Sequence, residues 1–307
     1  MLRVCLALLF VGCVTEEMTV DDPDPGRDRE RGLPVAGVLP PATASMDEVI
    51  AWLETELPAR SPGTELSITF EDLRTGYRVS LGGDVKHVSA SSAKAWWVAA
   101  ALDSVGIAPV SPYATLIFRN SDNSASGSVI DLIGPNAVNT WMWNVAGMND
   151  SALTQWNFDK TRVATNSPRA LGSDNYMTSD DAVEFLGRLY RKQIIGDARG
   201  EQLLSWLTLS PNTGTGGWLL ARLPAAEQMT GMHKGGWLPP GCCSSDAYYN
   251  TANEIGIVAT QSGQAYAVSI LARRGDDYWN RQVPFVELAS CVMYRAFVGD
   301  DTLDCGE

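Results

Sequence analysis

Three short strings in this sequence bring together side chains suited to nucleophilic catalysis. In Ser91-Ser92-Ala93-Lys94 a hydroxyl and an amine stand three positions apart. On a helix that spacing puts both on one face. A serine hydroxyl is a weak nucleophile until a neighbouring base takes its proton. A lysine on an apolar helix loses hydration as an ion, so its pKa falls toward the range where it can act as that base. The helix start adds an electropositive end for a developing oxyanion. The second string, Ser121-Asp122-Asn123, offers a further hydroxyl and an amide. The third, Lys234-Gly235-Gly236-Trp237, offers a cation followed by glycines that let another backbone lie close. Each string also has a plain reading. Ser91 can be an N-cap beside a solvated Lys94, and Ser, Asp and Asn favour caps and Asx turns. All three in this order favour the chemistry.

The elements around them read clearly. Ser91 opens a helical run over Ala95–Leu102. Ser121 to Asn123 falls between apolar helical stretches at Tyr113–Phe118 and Val129–Ile133, so it is predicted to form an interhelical loop tip. Met232-His233-Lys234 reads as a strand approaching a turn. Leu66–Phe70 and Tyr77–Leu81 alternate apolar and polar around Arg74-Thr75-Gly76, predicting one hairpin. Ile255–Thr260 and Ala265–Leu271 around Ser262-Gly263-Gln264 predict a second. A short helix opens at Asp47, a last one runs from Pro284 to Val298, and further helical periods cover Ala182–Tyr190 and Gln202–Leu207. This order predicts an α/β chain of the α+β kind: an antiparallel sheet flanked by the terminal helices, with an all-helical subdomain inserted.

The strings together resemble the S-x-x-K, S-D-N and K-T-G set of the class A β-lactamases and penicillin-binding proteins. The resemblance implies the same architecture over residues 46–299, a β-lactamase-like serine hydrolase domain. It implies that Ser91 forms an acyl-enzyme with Lys94 as base and that Ser121 relays a proton to the leaving nitrogen. Asn123 would bind the substrate's amide side chain, and Lys234 would face the substrate carboxylate and the Ser121 hydroxyl. Gly236 would admit the substrate backbone. The N–H of Trp237 would complete an oxyanion hole with that of Ser91.

The chain departs from the family pattern in three places. Ser91 and Ser121 are closer in sequence than is typical, which predicts a trimmed helical subdomain and a more open cleft. Gly235 stands where the family has Thr or Ser, removing a hydrogen bond worth about 1.5–3 kcal/mol to a charged acceptor. Class A enzymes also use a glutamate, on a later loop, to activate the deacylating water. In Leu153-Thr154-Gln155-Trp156-Asn157-Phe158-Asp159, Asn157 takes that place. A neutral amide is no general base. Asp159 is the alternative carboxylate if the loop runs differently.

Composition bounds the rest. The 307 residues carry a formal charge of −13, with no basic stripe for nucleic acid. Arg3 precedes an apolar run, Val4–Val11, of signal-peptide rather than membrane-spanning length. Phe10-Val11-Gly12-Cys13 resembles a lipobox, so residues 1–13 are expected to be a signal sequence with lipidation at Cys13. That places the protein in the periplasm or on the outer surface of a bacterium, held to the membrane by a lipid. Residues 14–45 are acidic and proline-rich, a tether rather than a packed segment, and 300–307 read as a C-terminal tail. Excluding Cys5 and Cys13 leaves Cys242, Cys243, Cys291 and Cys305, with three possible disulfide pairings. The two histidines, His87 and His233, make no metal site; no metal or cofactor is expected. The expected protein is a monomer acting on β-lactams or related amides and esters, with slow deacylation. A D,D-peptidase or transacylase on cell-wall peptides is the alternative, and a non-catalytic surface module keeping the fold is a third reading.

Overall fold

A computed structural model describes residues 37–156, 159–169, 173–211, 216–241 and 250–306. Cys13, Asn157, Cys242 and Cys243 lie outside the described residues. In chain order the elements are α1 (Met46–Arg60), β1 (Glu65–Asp72), β2 (Arg78–Leu81), β3 (His87–Val88), a 3-10 turn (Ala90–Ala93) and α2 (Lys94–Val105). Next come α3 (Ile107–Asn120), α4 (Asn123–Asp131), α5 (Pro135–Trp141), β4 (Gln155–Trp156), β5 (Asp159–Val163) and β6 (Tyr176–Met177). The chain closes with α6 (Ser179–Tyr190), α7 (Asp197–Leu207), α8 (Ala225–Thr230), β7 (Met232–Leu238), β8 (Thr251–Ala259), β9 (Ala265–Arg273) and α9 (Val283–Val298).

The main sheet is antiparallel with strand order β2-β1-β9-β8-β7, so both predicted hairpins form and β7, which carries Lys234, is an edge strand. The middle strands β8 and β9 are buried along almost their whole length. Continuous burial rather than alternation means that both faces of the sheet are covered. One face packs on α1 and α9 through Val49, Leu53, Phe285 and Leu288; the other meets the helical subdomain through Ile255, Ile257 and Leu271. A buried carboxylate ties the layers: Glu71 on β1 accepts from Arg78 Nε at 3.0 Å and from Arg191 Nη1 at 2.5 Å, next to the end of α6.

Helix α1 starts where its residues say it should. Ser45 accepts from the Glu48 N–H, and the Glu48 carboxylate accepts from the Ser45 N–H at 2.7 Å, a capping box. Packing begins before it: Ala42 is buried and its N–H donates to Asp301 at 2.8 Å. At the other end a disulfide joins Cys291 of α9 to Cys305. A crosslink closing a loop of about 15 residues is worth about 3 kcal/mol in chain entropy. No helix among the described residues is long and apolar enough to cross a membrane.

The helical subdomain is built around α2. From Lys94 to Leu102 every residue of this helix is buried, as suits a helix surrounded on all sides. Its first residue is therefore a lysine taken almost wholly out of water.

Candidate active site

Ser91 sits in the 3-10 turn that leads into α2, and it is half-buried while its neighbours Ser89, Ser92 and Lys94 are buried. The residue before it, Ala90, has φ 46°, and Ser121 at the tip between α3 and α4 has φ 53°. Non-glycine residues avoid this left-handed region at a cost of about 1–2 kcal/mol. Strain of this kind gathers where surrounding structure holds a site in one geometry. Here it holds the two hydroxyls. Asn253 on β8 fixes the approach to Ser91, donating to the Val88 carbonyl at 2.7 Å. Asp122 caps α4 by accepting the Ala125 N–H at 2.7 Å, which accounts for the aspartate of the second string without a chemical role.

The three strings converge. Lys94 Nζ donates to Ser121 Oγ at 3.1 Å, to Asn123 Oδ1 at 2.7 Å and to the Ser121 carbonyl. Lys234 Nζ donates to the same Ser121 Oγ at 3.2 Å and to the Gly235 carbonyl at 2.8 Å. One hydroxyl oxygen thus accepts from two lysines, leaving its own proton to point elsewhere. Burial holds the Lys94 amine well below the usual lysine range, and the nearby Lys234 charge pushes it the same way. Burial also brings Lys234 down to about 8, against the opposing pull of Glu254. The arrangement biases the Lys94 amine toward its neutral, proton-accepting form, while Lys234 keeps its charge below about 8.

The edge strand meets the turn that carries Ser91 at Gly236. A methyl group there would lie 2.6 Å from the Ser92 N and Oγ and 2.9 Å from the Ser89 carbonyl. The obstacle is backbone, which cannot swing aside. Gly236→Ala is expected to push β7 away from the turn, destabilising the fold by about 1–3 kcal/mol. Acylation should slow about 100-fold, the scale of a 1 Å misplacement; thermal melting and the rate of covalent labelling check both effects.

Gly235 has a different reason. A methyl group there would come within 2.8 Å of Glu254 Oε1 and 3.0 Å of the Gly216 Cα. Glu254 lies opposite Gly235 on β8 and is fully buried. Its Oε1 accepts the N–H groups of Gly217 at 2.7 Å and Trp218 at 3.2 Å, and its Oε2 is 3.2 Å from His233 Nδ1. His233 is thereby a strand residue bracing β7, with Nε2 3.3 Å from the Ser210 carbonyl. The hydroxyl missing at Gly235 has no room to return while Glu254 and Gly216 stand where they do.

Beside Ser121 and Lys234 lies a cleft of about 210 Å³ lined by Ser210, Gly216, Gly235, Trp237 and, at its polar wall, Arg119 and Asn120. The later loop is anchored by amides. Asn139 exchanges bonds with the Leu153 backbone at 2.7 and 2.8 Å, and Asn175 Oδ1 accepts from the Thr154 and Gln155 N–H groups. Of the two residues proposed for deacylation, Asp159 opens β5 and Asn157 falls outside the described residues. No group of His, Cys, Asp or Glu among the described residues is arranged to hold a metal.

Two residues of the site were not singled out in the sequence, Asn253 and Glu254. The signal was there: a polar pair directly ahead of the apolar Ile255-Gly256-Ile257-Val258 run, on a strand that is buried along almost its whole length.

Comparison with known proteins places the fold. The structure of PBP-A superposes with a TM-score of 0.66 at 20% identity, covering 85% of this chain and 99% of that one. An ancestral class A β-lactamase matches with a TM-score of 0.64 at 20% identity, over 82% of this chain and 100% of that one. A PBP-A mutant solved as an acyl-enzyme complex with penicillin G matches at 0.66 and 19% identity, over 85% of this chain and 99% of that one. No curated protein sequence matches significantly. The sequence itself matches the Beta-lactamase enzyme family over residues 104–296, a stretch that takes in Ser121, Lys234 and strands β7 to β9 and begins ten residues after Lys94. With that match spanning more than half its length, the chain belongs to the β-lactamase enzyme family.

Proposed function

We propose that this protein is an exported serine hydrolase that forms an acyl-enzyme at Ser91 on β-lactams or related amides and esters, and releases it slowly. The observation that carries the reading is the Ser121 hydroxyl held between Lys94 and Lys234 at 3.1 and 3.2 Å. In the proposed cycle the neutral Lys94 amine takes the Ser91 proton as Oγ attacks the substrate carbonyl. The N–H groups of Ser91 and Trp237 receive the oxyanion. On collapse the carbonyl–nitrogen bond breaks, and Ser121 passes its proton to the leaving nitrogen while being reprotonated from Lys94. Asn123 orients the substrate amide. Water must then attack the ester, and the neutral amide of Asn157 cannot activate it.

A second reading, a D,D-peptidase or transacylase on wall peptides, is supported by the likeness to PBP-A and by the same neutral Asn157. In either case the expected setting is the outside of a bacterial membrane, with a lipid at Cys13, residues 14–45 as tether and the 46–299 domain acting as a monomer. Intact-mass spectrometry over time after mixing with benzylpenicillin tests the proposal. A persistent adduct is expected. Hydrolysed penicillin without an adduct would point to another deacylation base, and neither adduct nor hydrolysis would leave a non-catalytic binding module as the better account. Release of D-alanine from a muropeptide would favour the peptidase.

A further inference from the structure

The proposed chemistry leaves one cation in the cleft unused. Arg119 is exposed in the last turn of α3, two residues before Ser121, and it lines the same cleft as Ser121, Lys234 and Gly235. Among the described residues its guanidinium makes no hydrogen bond or ion pair, unlike the buried cations around it. Lys234 is already committed to Ser121 Oγ and to the Gly235 carbonyl, and Glu254 sets a carboxylate beside it where a residue 235 side chain would lie. The β7 wall therefore offers an incoming anion neither a hydroxyl nor an uncompensated charge. In a chain of net charge −13, an anion entering this cleft needs a local cation to meet it.

We propose that Arg119 is the carboxylate anchor of this cleft, selecting substrates that carry a free carboxylate next to the bond that Ser91 attacks. A guanidinium presents paired N–H donors that match the two oxygens of a carboxylate. The inference rests on the Ser91 hydrolase reading for the position of the reacting bond. The carboxylate can come from a bicyclic β-lactam or from the C-terminus of a peptide; the chemistry is shared. An arginine in the last turn of a helix also favours the helix dipole, but that contribution concerns stability and is blind to the charge of a ligand.

The test compares wild type, Arg119→Ala and Arg119→Lys by the second-order rate of adduct formation with benzylpenicillin and with its methyl ester. The acid-to-ester preference of the wild type should fall about 10- to 100-fold in Arg119→Ala, the factor expected for a charge-assisted hydrogen bond. Arg119→Lys should restore part of it. Affinity is read separately in the Ser91→Ala background, for benzylpenicillin and its ester and for a peptide ending in D-Ala-D-Ala and its C-terminal amide. Loss of preference for the penicillin pair alone or the peptide pair alone identifies which carboxylate the anchor serves. Equal losses for acid and neutral partner, or no loss in either pair, would overturn the proposal. Failure of the Ser91 reading looks different: the wild type would form no adduct, while the binding arms would still report on Arg119.

Discussion

Replacing Ser91 by alanine is expected to abolish covalent labelling by benzylpenicillin, with no adduct in the intact mass after times that saturate the wild type. The hydroxyl oxygen is the one heavy atom the substitution removes. Ser91 is half-buried in a turn whose position is set by its neighbours: Asn253 donating to Val88 and Gly236 packed on Ser92 and Ser89. Stability should therefore change by no more than about 0.5 kcal/mol, as for a substitution that breaks no buried bond. The prediction separates the candidates for the nucleophile sharply. Ser92 is adjacent but fully buried against β7, and Ser121 has its oxygen facing two lysines. If Ser91→Ala still forms the adduct, the nucleophile is elsewhere and the assignment fails. If it fails to label but keeps micromolar affinity for the intact drug, binding and chemistry have been separated.

Much of this site is legible in the sequence because its strings are local. A serine and a lysine three apart, and a polar tip between two apolar helical stretches, are short-range patterns, and α2, α3 and α4 deliver them as expected. The hairpins are legible for the same reason: β1–β2 and β8–β9 are sequence neighbours. Boundaries are less so. The periodic reading of α3 starts at Tyr113, directly after Pro112, yet the helix runs from Ile107 and carries that proline inside it. One forfeited backbone bond is outweighed by burying Val110, Ala114 and Ile117 in the core around α2.

What escapes the sequence is long-range. Gly235 reads as a lost hydroxyl; its cause, Glu254 and Gly216 filling that space, depends on cross-strand register and on a loop about 20 residues away. Arg119 carries no local signal in the sequence; its place follows only from the cleft that residues of β7 and of the segment before α8 form with it. The disulfide is another such case, since Cys305 meets Cys291 only because the chain turns back after α9.

Lys94 is where burial and chemistry are most closely joined, and replacing it should slow acylation about 10²–10⁴-fold, the range for loss of a positioned general base. Its nitrogen donates to the Ser121 carbonyl, Ser121 Oγ and Asn123 Oδ1. An ammonium has donors for such acceptors, yet at 1% exposure the ion pays for lost hydration. As a neutral amine it keeps two donors and gains a lone pair to take the Ser91 proton. Lys94→Met keeps the volume and removes the nitrogen, so the folded state should survive, with the Asn123 and Ser121 oxygens losing one donor. The pH dependence follows from the two lysines. Acylation is expected to rise with pH as the depressed Lys94 loses its proton, because the proposed base acts in its neutral form. It is expected to fall as Lys234 loses its charge above about 8, because in the proposed cycle that charge holds the Ser121 hydroxyl. Wild type should therefore show a maximum in labelling rate below the ordinary lysine range. In Lys94→Met the residual rate should lose the rising limb and keep the fall near 8. A rising limb that persists in Lys94→Met would assign the base to another group, and a wild-type rate in that variant would remove Lys94 from the mechanism altogether.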